Sequence, residues 1–291
     1  MGADGERVLA IVLTFDAHAA LEDCLAGLRA QTRPVDEILV VDNASAARVD
    51  DLVAATPGAT LLRLPENRGP AGGYAAGLST FLEGDAERAW VMDDDCVPHP
   101  DALAEQLAIT GRAPVVLARM VDRDSGAPSD THGWCGVLLA REVVETVGVP
   151  DPTLFWWTED TEYLQWRIPQ AGFRVERCPE ALVSVRRTRP DAAKPAWKYY
   201  YEARNQVYYR LVTQRPTSRP VPRYLTRRVR VGRAARSVGK LTVRAVLREH
   251  TQRGQKLAMV GRGIADGVRG RLGRTVPVDT ADRPLDGGRS P

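Results

Sequence analysis

Cysteine, histidine, methionine and phenylalanine each occur four times in 291 residues. The cysteines, Cys24, Cys96, Cys135 and Cys178, lie far apart, and no two form a CxxC pair. That spacing excludes a zinc ribbon or finger and argues against a disulfide framework, so free thiols in a reducing compartment are expected. The histidines show no ligand spacing, and no Ser-His-Asp arrangement can be built from them. His18, His99 and His250 read as surface residues, and His132, close to Trp134, as a candidate for lining a pocket. No apolar run approaches the roughly 18–20 residues of a membrane-spanning helix. The early run "VLAIVLTF" is short and flanked by Asp4, Glu6 and Asp16, unlike a signal peptide. GxGxxG and internal repeats are missing as well. A cytoplasmic location is the expectation.

Charge is present in quantity and unevenly distributed. Between Arg210 and Arg274 stand 18 Lys and Arg against two acids, Glu249 and Asp266, a net of +16. The rest of the chain carries −13, and the whole +3. An acidic body with a basic end suggests an anionic surface as partner.

The body alternates strand and helix patterns. "RVLAIVLTFD" (7–16), "DEILVVDNAS" (36–45), "ATLLRLPENRG" (59–69) and "RAWVMDDD" (88–95) read as strands. Helical patterns at 19–31, 49–58 and 72–84 fall between them. Units of this kind predict a parallel sheet covered on both faces, with ligands gathering at the carboxyl ends of the strands. Those ends carry Thr14 and Asp16, Asp42 and Asn43, Asn67 and Arg68, and the triplet Asp93, Asp94 and Asp95. Further on, a helix at 101–111, a strand at 113–122 and a strand then helix within 131–151 are expected. Over 154–187 a loop, a helix stopped at Pro169 and two strands follow, and then an aromatic-laden helix over 195–212. From Thr275 on, the composition predicts disorder.

Three stretches carry chemistry. Three adjacent carboxylates repel one another unless a cation sits among them, and Mg2+ or Mn2+ takes one or two carboxylates together with phosphate oxygens. A solvated acidic loop is the plainer reading of the triplet. In "WWTEDTEYLQWR" (156–167), Thr158 can cap a helix, with Glu159 and Asp160 favourable at its positive end. Alternatively, a carboxylate behind aromatic walls serves as general base towards a hydroxyl, with Trp156 and Trp157 stacking on sugar faces. In "NRGPAGGYAAG" (67–77), Asn67 and Arg68 suit a nucleotide. Gly73 either lets backbone approach a phosphate or, with Ala76 and Gly77, permits close packing on the sheet.

Taken in order, "VLTFD…VVDNAS…ENRGPAGG…VMDDD…GWCGVLLAREVVETVGVPD…FWWTEDTEYLQWRI…AGFRV" resembles the family-2 glycosyltransferases of GT-A fold, in their rhamnosyltransferase and galactofuranosyltransferase branch. The likeness runs from about residue 7 to about residue 210. It implies an α/β, Rossmann-like, mostly parallel sheet flanked by helices over 1–190, the nucleotide-sugar half over about 1–100 and the acceptor half over about 101–190. A basic helical region (191–274) and a tail (275–291) follow. The resemblance implies that Thr14, Asp16, Asp42, Asn67, Arg68, Gly73, Asp93 and Asp94 serve the nucleotide sugar. Asp93 and Asp95 would hold the divalent metal, Asp160 would be the catalytic base, and Trp134, Trp157 and Glu159 would meet the acceptor. Many relatives carry a His after the strand that follows "AGFRV". Here "ALVSVRRTR" stands instead, which leaves Arg186 or Arg187 to hold the diphosphate or implies weaker metal binding.

The activity implied is inverting transfer of a hexose from a dTDP- or UDP-linked donor to an acceptor hydroxyl, on a lipid-linked cell-wall glycan or a soluble secondary metabolite. A nucleotidyltransferase is the competing enzyme class, but the first turn, "TFDAHAALEDC", lacks the Gly-, Arg- and Lys-containing loop it needs. An RNA-binding protein leaves the acidic strand ends unexplained, so no nucleic-acid partner is expected. In the basic end Leu225, Val229, Val231, Val238, Leu241, Val243, Val246 and Leu247 recur among arginines. One or two amphipathic helices docking peripherally on the anionic inner face of the cell membrane are expected, or else a solvated basic pair.

Overall fold

The computed structural model describes residues 5–129, 133–185, 194–216, 223–247 and 251–278. The chain divides into two compact units, one of Met1–Pro152 with Asp160–Thr188, the other of Thr153–Glu159 with Arg189–Pro291. The stretch Thr153–Glu159 thus groups with the C-terminal residues.

In the first unit β1 (Val8–Thr14) is buried throughout. Its Val8, Ala10 and Val12 pack with Leu21, Cys24, Leu25 and Leu28 of α1 (His18–Arg29). Strand β2 (Glu37–Asp42), helix α2 (Asp50–Ala54), strand β3 (Ala59–Arg63) and helix α3 (Gly69–Glu83) follow. Leu9, Ile11 and Leu13 of β1 pack with Tyr74, Leu78 and Phe81 of α3 in a second core. The strand's period-two alternation sends an unbroken apolar run into two cores, as a sheet covered on both faces requires. Next come β4 (Arg88–Asp93), β5 (Cys96–Pro98), α4 (Ala102–Ala108), β6 (Val115–Asp122), β7 (Cys135–Ala140) and α5 (Arg141–Val147). A helical run of α6 (Glu159–Glu162), a π turn (Tyr163–Arg167) and α7 (Ile168–Gln170) leads to β8 (Val175–Val185).

The eight strands form one sheet in the order β3-β2-β1-β4-β7-β6-β8-β5. Strands β1 to β4 pair in parallel, as do β6 and β8, while β7 and β5 run antiparallel to their neighbours. Three expectations change. The three-residue β5 was not foreseen. The two strands expected after Gly172 are one, β8, whose register against β6 shifts between Leu117 and Arg119. The helix does not stop at Pro169, because a widened turn precedes it and Pro169 sits in the first turn of α7, where a proline is tolerated.

The second unit is helical: α8 (Ala196–Tyr208) with a π turn (Tyr209–Thr213), α9 (Arg227–Leu247) and α10 (Arg253–Arg269). Tyr199 and Ala203 of α8 pack with Leu241 and Ala245 of α9 and Val260 of α10. A Cβ on Gly263 would stand 2.5 Å from the Tyr200 carbonyl, and one on Gly267 2.5 Å from that of Arg204. Only hydrogen fits at this crossing, and larger residues would drive the helices apart. The tail expected to be disordered from Thr275 is packed as far as it is described: Val276 is buried, and its carbonyl accepts from the Tyr201 hydroxyl at 3.0 Å. Residues 279–291 lie outside the described residues. Two long helices, α9 and α10, stand where one or two were expected, and α9 contains no acid. The apolar residues of the basic end differ in exposure. Leu225 and Leu241 are buried, while Val231, Val243, Val246 and Leu247 are exposed.

Candidate active site

Strand β4 ends in the acidic triplet, and the three carboxylates have different environments. Asp93 is half-buried and accepts a hydrogen bond from the hydroxyl of buried Tyr74. Asp94 is buried and accepts from the Thr14 hydroxyl at 2.9 Å and the Phe15 amide at 3.3 Å. Asp95 is exposed. Thr14 and Asp94, both expected on the nucleotide, are therefore turned towards each other and tie the end of β1 to that of β4. A buried hydroxyl and the carboxylate it serves thus shape this strand end.

One correction concerns the cysteines. Cys96 and Cys135, 39 residues apart, are joined in a disulfide with their Cα atoms 6.0 Å apart, whereas Cys24 and Cys178 are free and buried. Pairing of β4 with β7 puts Cys135 opposite Met92, a neighbourhood that sequence spacing does not reveal.

Burial pushes the Asp93 carboxyl well above the ordinary carboxylate range. The charge of Asp95 adds to this, the Tyr74 hydroxyl opposes it, and Asp94 and Asp160 add further. Burial also raises Asp160, against hydrogen bonds from the Thr161 amide at 2.6 Å and hydroxyl at 3.2 Å. Carboxylates raised in this way are ones that a cation would stabilise. Ligand atoms of Asp93, Asp95 and Cys96 lie within 4.8 Å of one another, and Cys96 is committed to its disulfide. What remains is a pair of hard oxygen donors, which suits Mg2+ or Mn2+ rather than a thiophilic metal.

The neighbouring strand ends are organised by side chain to backbone bonds. Asp42 is fully buried; one oxygen accepts from the Ser45 amide at 2.9 Å and the other pairs with Arg63 at 3.0 Å. Asp16, half-buried at φ 49°, accepts from the Ala46 amide at 2.6 Å. The Asn67 side chain accepts from the Gly69 amide, and that of Asn43 from the Arg68 amide, both at 2.8 Å. Arg68 is exposed. Asp42 is thus enclosed at the end of β2. A Cβ on Gly73 would lie 2.3 Å from Leu13 Cδ1, so the glycine permits α3 to pack on β1. Asp16, Asn67 and Arg68 remain accessible on this side.

Among the residues expected at the acceptor, Trp134 is 2% exposed, its ring 4.6 Å from that of Tyr74 and 5.7 Å from that of Tyr163. It is enclosed by aromatic neighbours and offers no open face to a sugar. Glu159 is buried as well. Trp157, 46% exposed and stacked 4.9 Å from Trp156, is the open ring. Thr158 is no helix cap: φ is 80°, and its hydroxyl accepts from Gln206 at 3.4 Å. Sequence reasoning missed Arg204 and Asn205, both fully buried, whose side chains donate to carbonyls of the Leu154–Trp157 loop. The available signal was a charged and an amide residue in the middle of an aromatic helix. His132, Arg186, Arg187 and His250 lie outside the described residues.

The sequence profile of the glycosyl transferase family 2 matches residues 9–176. Galactofuranosyltransferase GlfT1 of Mycobacterium tuberculosis is 41% identical over 210 residues, covering 60% of this chain and 69% of that protein. Among solved structures, S. aureus TarS 1–349 in complex with UDP-GlcNAc matches with a TM-score of 0.62 at 16% identity, covering 90% of this chain and 81% of that one. The mannosyltransferase PcManGT from Pyrobaculum calidifontis, in complex with GDP-Man and Mn2+, matches with a TM-score of 0.57 at 17% identity, covering 90% and 87%. These structural matches establish a shared fold.

Proposed function

The chain belongs to glycosyl transferase family 2, and from that premise we propose an inverting transferase that moves a hexose from a nucleotide sugar to a hydroxyl of a cell-wall glycan. The likeness to a galactofuranosyltransferase favours a UDP-linked galactofuranose donor and a lipid-linked acceptor. The observation that carries this reading is the pairing of Asp93 and Asp95 at the carboxyl end of β4, whose ligand atoms lie within 4.8 Å of each other; the charge of Asp160, in α6, also raises Asp93. A divalent cation, Mg2+ or Mn2+, held by Asp93 and Asp95, would neutralise charge on the departing nucleoside diphosphate. A solved neighbour that carries Mn2+ supports the choice.

The chain's own groups supply the rest. Exposed Arg68 reaches donor phosphate oxygens, and Asp16 and Asn67 flank the same rim. Asp160 accepts the proton of the acceptor hydroxyl as that oxygen attacks the anomeric carbon from the face opposite the leaving group, which inverts the centre. Burial makes Asp160 more basic than an ordinary carboxylate, which suits that task. Trp157 offers its open ring to a sugar face.

Helix α9 supports placement on the inner face of an anionic membrane. Its exposed side carries Arg228, Arg233, Arg236 and Lys240 among Val231, Val243, Val246 and Leu247. Basic and aliphatic residues interleaved on one surface suit lipid headgroups and the acyl boundary together. No described helix is long and apolar enough to cross a membrane.

The test is a donor panel of UDP-galactofuranose, UDP-galactopyranose and dTDP-rhamnose, with Mn2+ or with chelator. Turnover of UDP-galactofuranose that stops on chelation is expected. Equal turnover in chelator would remove the metal from the reading, and a preference for dTDP-rhamnose would reassign the donor.

A further inference from the structure

Between Leu154 and Glu159 the backbone follows a course that L-residues avoid. Phe155, Trp157 and Thr158 have φ of 61°, 72° and 80°. The left-handed region is unfavourable for any residue with a Cβ, and most so for a β-branched one such as Thr158. The Trp156 amide also donates to the Leu154 carbonyl at 2.7 Å, closing a three-residue turn around Phe155. A segment with three such residues relaxes unless its surroundings over-determine it, and strain of this kind gathers at functional sites.

Two adjacent side chains of α8 supply that constraint. Asn205 Nδ2 donates to the carbonyls of Leu154, Trp156 and Trp157 at 2.9, 2.8 and 2.7 Å. Its Oδ1 accepts from Arg204 Nε at 2.8 Å, and Arg204 Nη2 donates to the Leu154 carbonyl at 2.7 Å. Both side chains are fully buried. The Arg204 guanidinium lies over the rings of Tyr200 and Tyr201 and donates again to the Gly273 carbonyl at 2.6 Å. Burying a cation among carbonyls and rings is unfavourable unless every donor is used, and an apolar residue would hold a helix in place more simply. The arrangement makes sense as a device for fixing backbone carbonyls. The loop it fixes carries the open ring of Trp157 and ends at Glu159; Asp160 is the next residue.

We infer that Asn205, backed by Arg204, is a positioning residue for transfer. It holds the Leu154–Glu159 loop, which runs directly into Asp160, in its strained form. This rests on the assignment of Asp160 as base. The decisive variant is Asn205→Asp, which keeps the shape but sets a carboxylate against three carbonyls. Its kcat for transfer should fall by about 10- to 100-fold. The donor KM and UDP affinity in the presence of Mn2+ should stay within about twofold of wild type.

The same change made in the Asp160→Asn background should lower the residual rate by less than about twofold, because residues that act as a unit are not additive. A merely structural role would lower the active fraction equally in both backgrounds. Thr158→Gly tests the clamp from the loop's own side, since glycine adopts φ 80° without strain but frees the segment. It should lower kcat at unchanged donor KM even if Asn205→Asp fails to fold. Equal losses in both backgrounds, or wild-type kcat in Thr158→Gly, would overturn the clamp. Wild-type transfer by Asp160→Asn would instead overturn the base assignment, a separate result.

Discussion

Asp95→Asn should make the metal-free protein more stable and, at the same time, unable to respond to metal. The ligand atoms at Asp93 and Asp95 are within 4.8 Å of each other. Two unit charges at that separation repel by about 3.5 kcal/mol at an effective dielectric of about 20. Asp95 is exposed, so solvent and salt reduce the figure to about 1 kcal/mol. Removing one charge should therefore raise the unfolding temperature in chelator at pH 8 and low salt by about 2–4 °C. The sign follows from linkage. A carboxyl raised in the fold, as Asp93 is, stabilises while protonated, and that contribution is lost as pH climbs from the ordinary carboxylate range through the raised value. In the variant the Asp93 pKa drops and the loss shrinks. Adding Mn2+ and UDP should reverse the ranking. A ligand at 100 times its Kd stabilises the wild type by about 2.7 kcal/mol, whereas the variant lacks one of the two carboxylates. Thermal unfolding of both proteins in chelator and in Mn2+ with UDP reads all four states. A variant less stable than wild type in chelator, or one that gains as much from Mn2+ and UDP, would refute the reasoning.

Two further outcomes follow from charges elsewhere in the chain. At saturating donor and Mn2+, the transfer rate should fall on acidification with a limb above the ordinary carboxylate range, because burial raises Asp160 and the base must be ionised; a limb within that range would exclude a raised base. Replacing Arg228, Arg233, Arg236 and Lys240 together by Gln should weaken sedimentation with anionic vesicles by about 10³-fold, at roughly 1 kcal/mol per exposed charge, and high salt should release the wild type; unchanged binding would remove α9 from the membrane.

Local patterns were legible where a residue's neighbours in sequence are also its neighbours in space. The run "VLAIVLT" had to be a strand buried on both faces, and it is. The carboxyl ends of the strands had to collect the polar groups, and Asp93 and Asp95 stand at one of them. What stayed hidden depends on distant pairing. The Cys96–Cys135 bridge exists because β7 returns beside β4. Strand β5 is three residues long and owes its existence to β8, far along the chain. Asp94 looks like its neighbours until Thr14 is seen to claim it. Trp134 and Trp157 are both tryptophans near acids, yet only contacts tell the enclosed ring from the open one. Asn205 is silent in sequence because its partners are backbone carbonyls some 50 residues earlier, which carry no residue signature.

Arg204 also bears on the order in which the molecule can be made. Its donors reach Leu154 on one side and Gly273 on the other, and Tyr201 beside it binds Val276. During synthesis the first unit has all its strands once Val185 has emerged, and it can fold while translation continues. The second unit cannot bury Arg204 until residues some 70 positions later leave the ribosome. Until then the guanidinium and the Leu154–Glu159 loop share the water-exposed state of a nascent chain, so the segment leading into Asp160 takes its final form last, after translation has passed Val276.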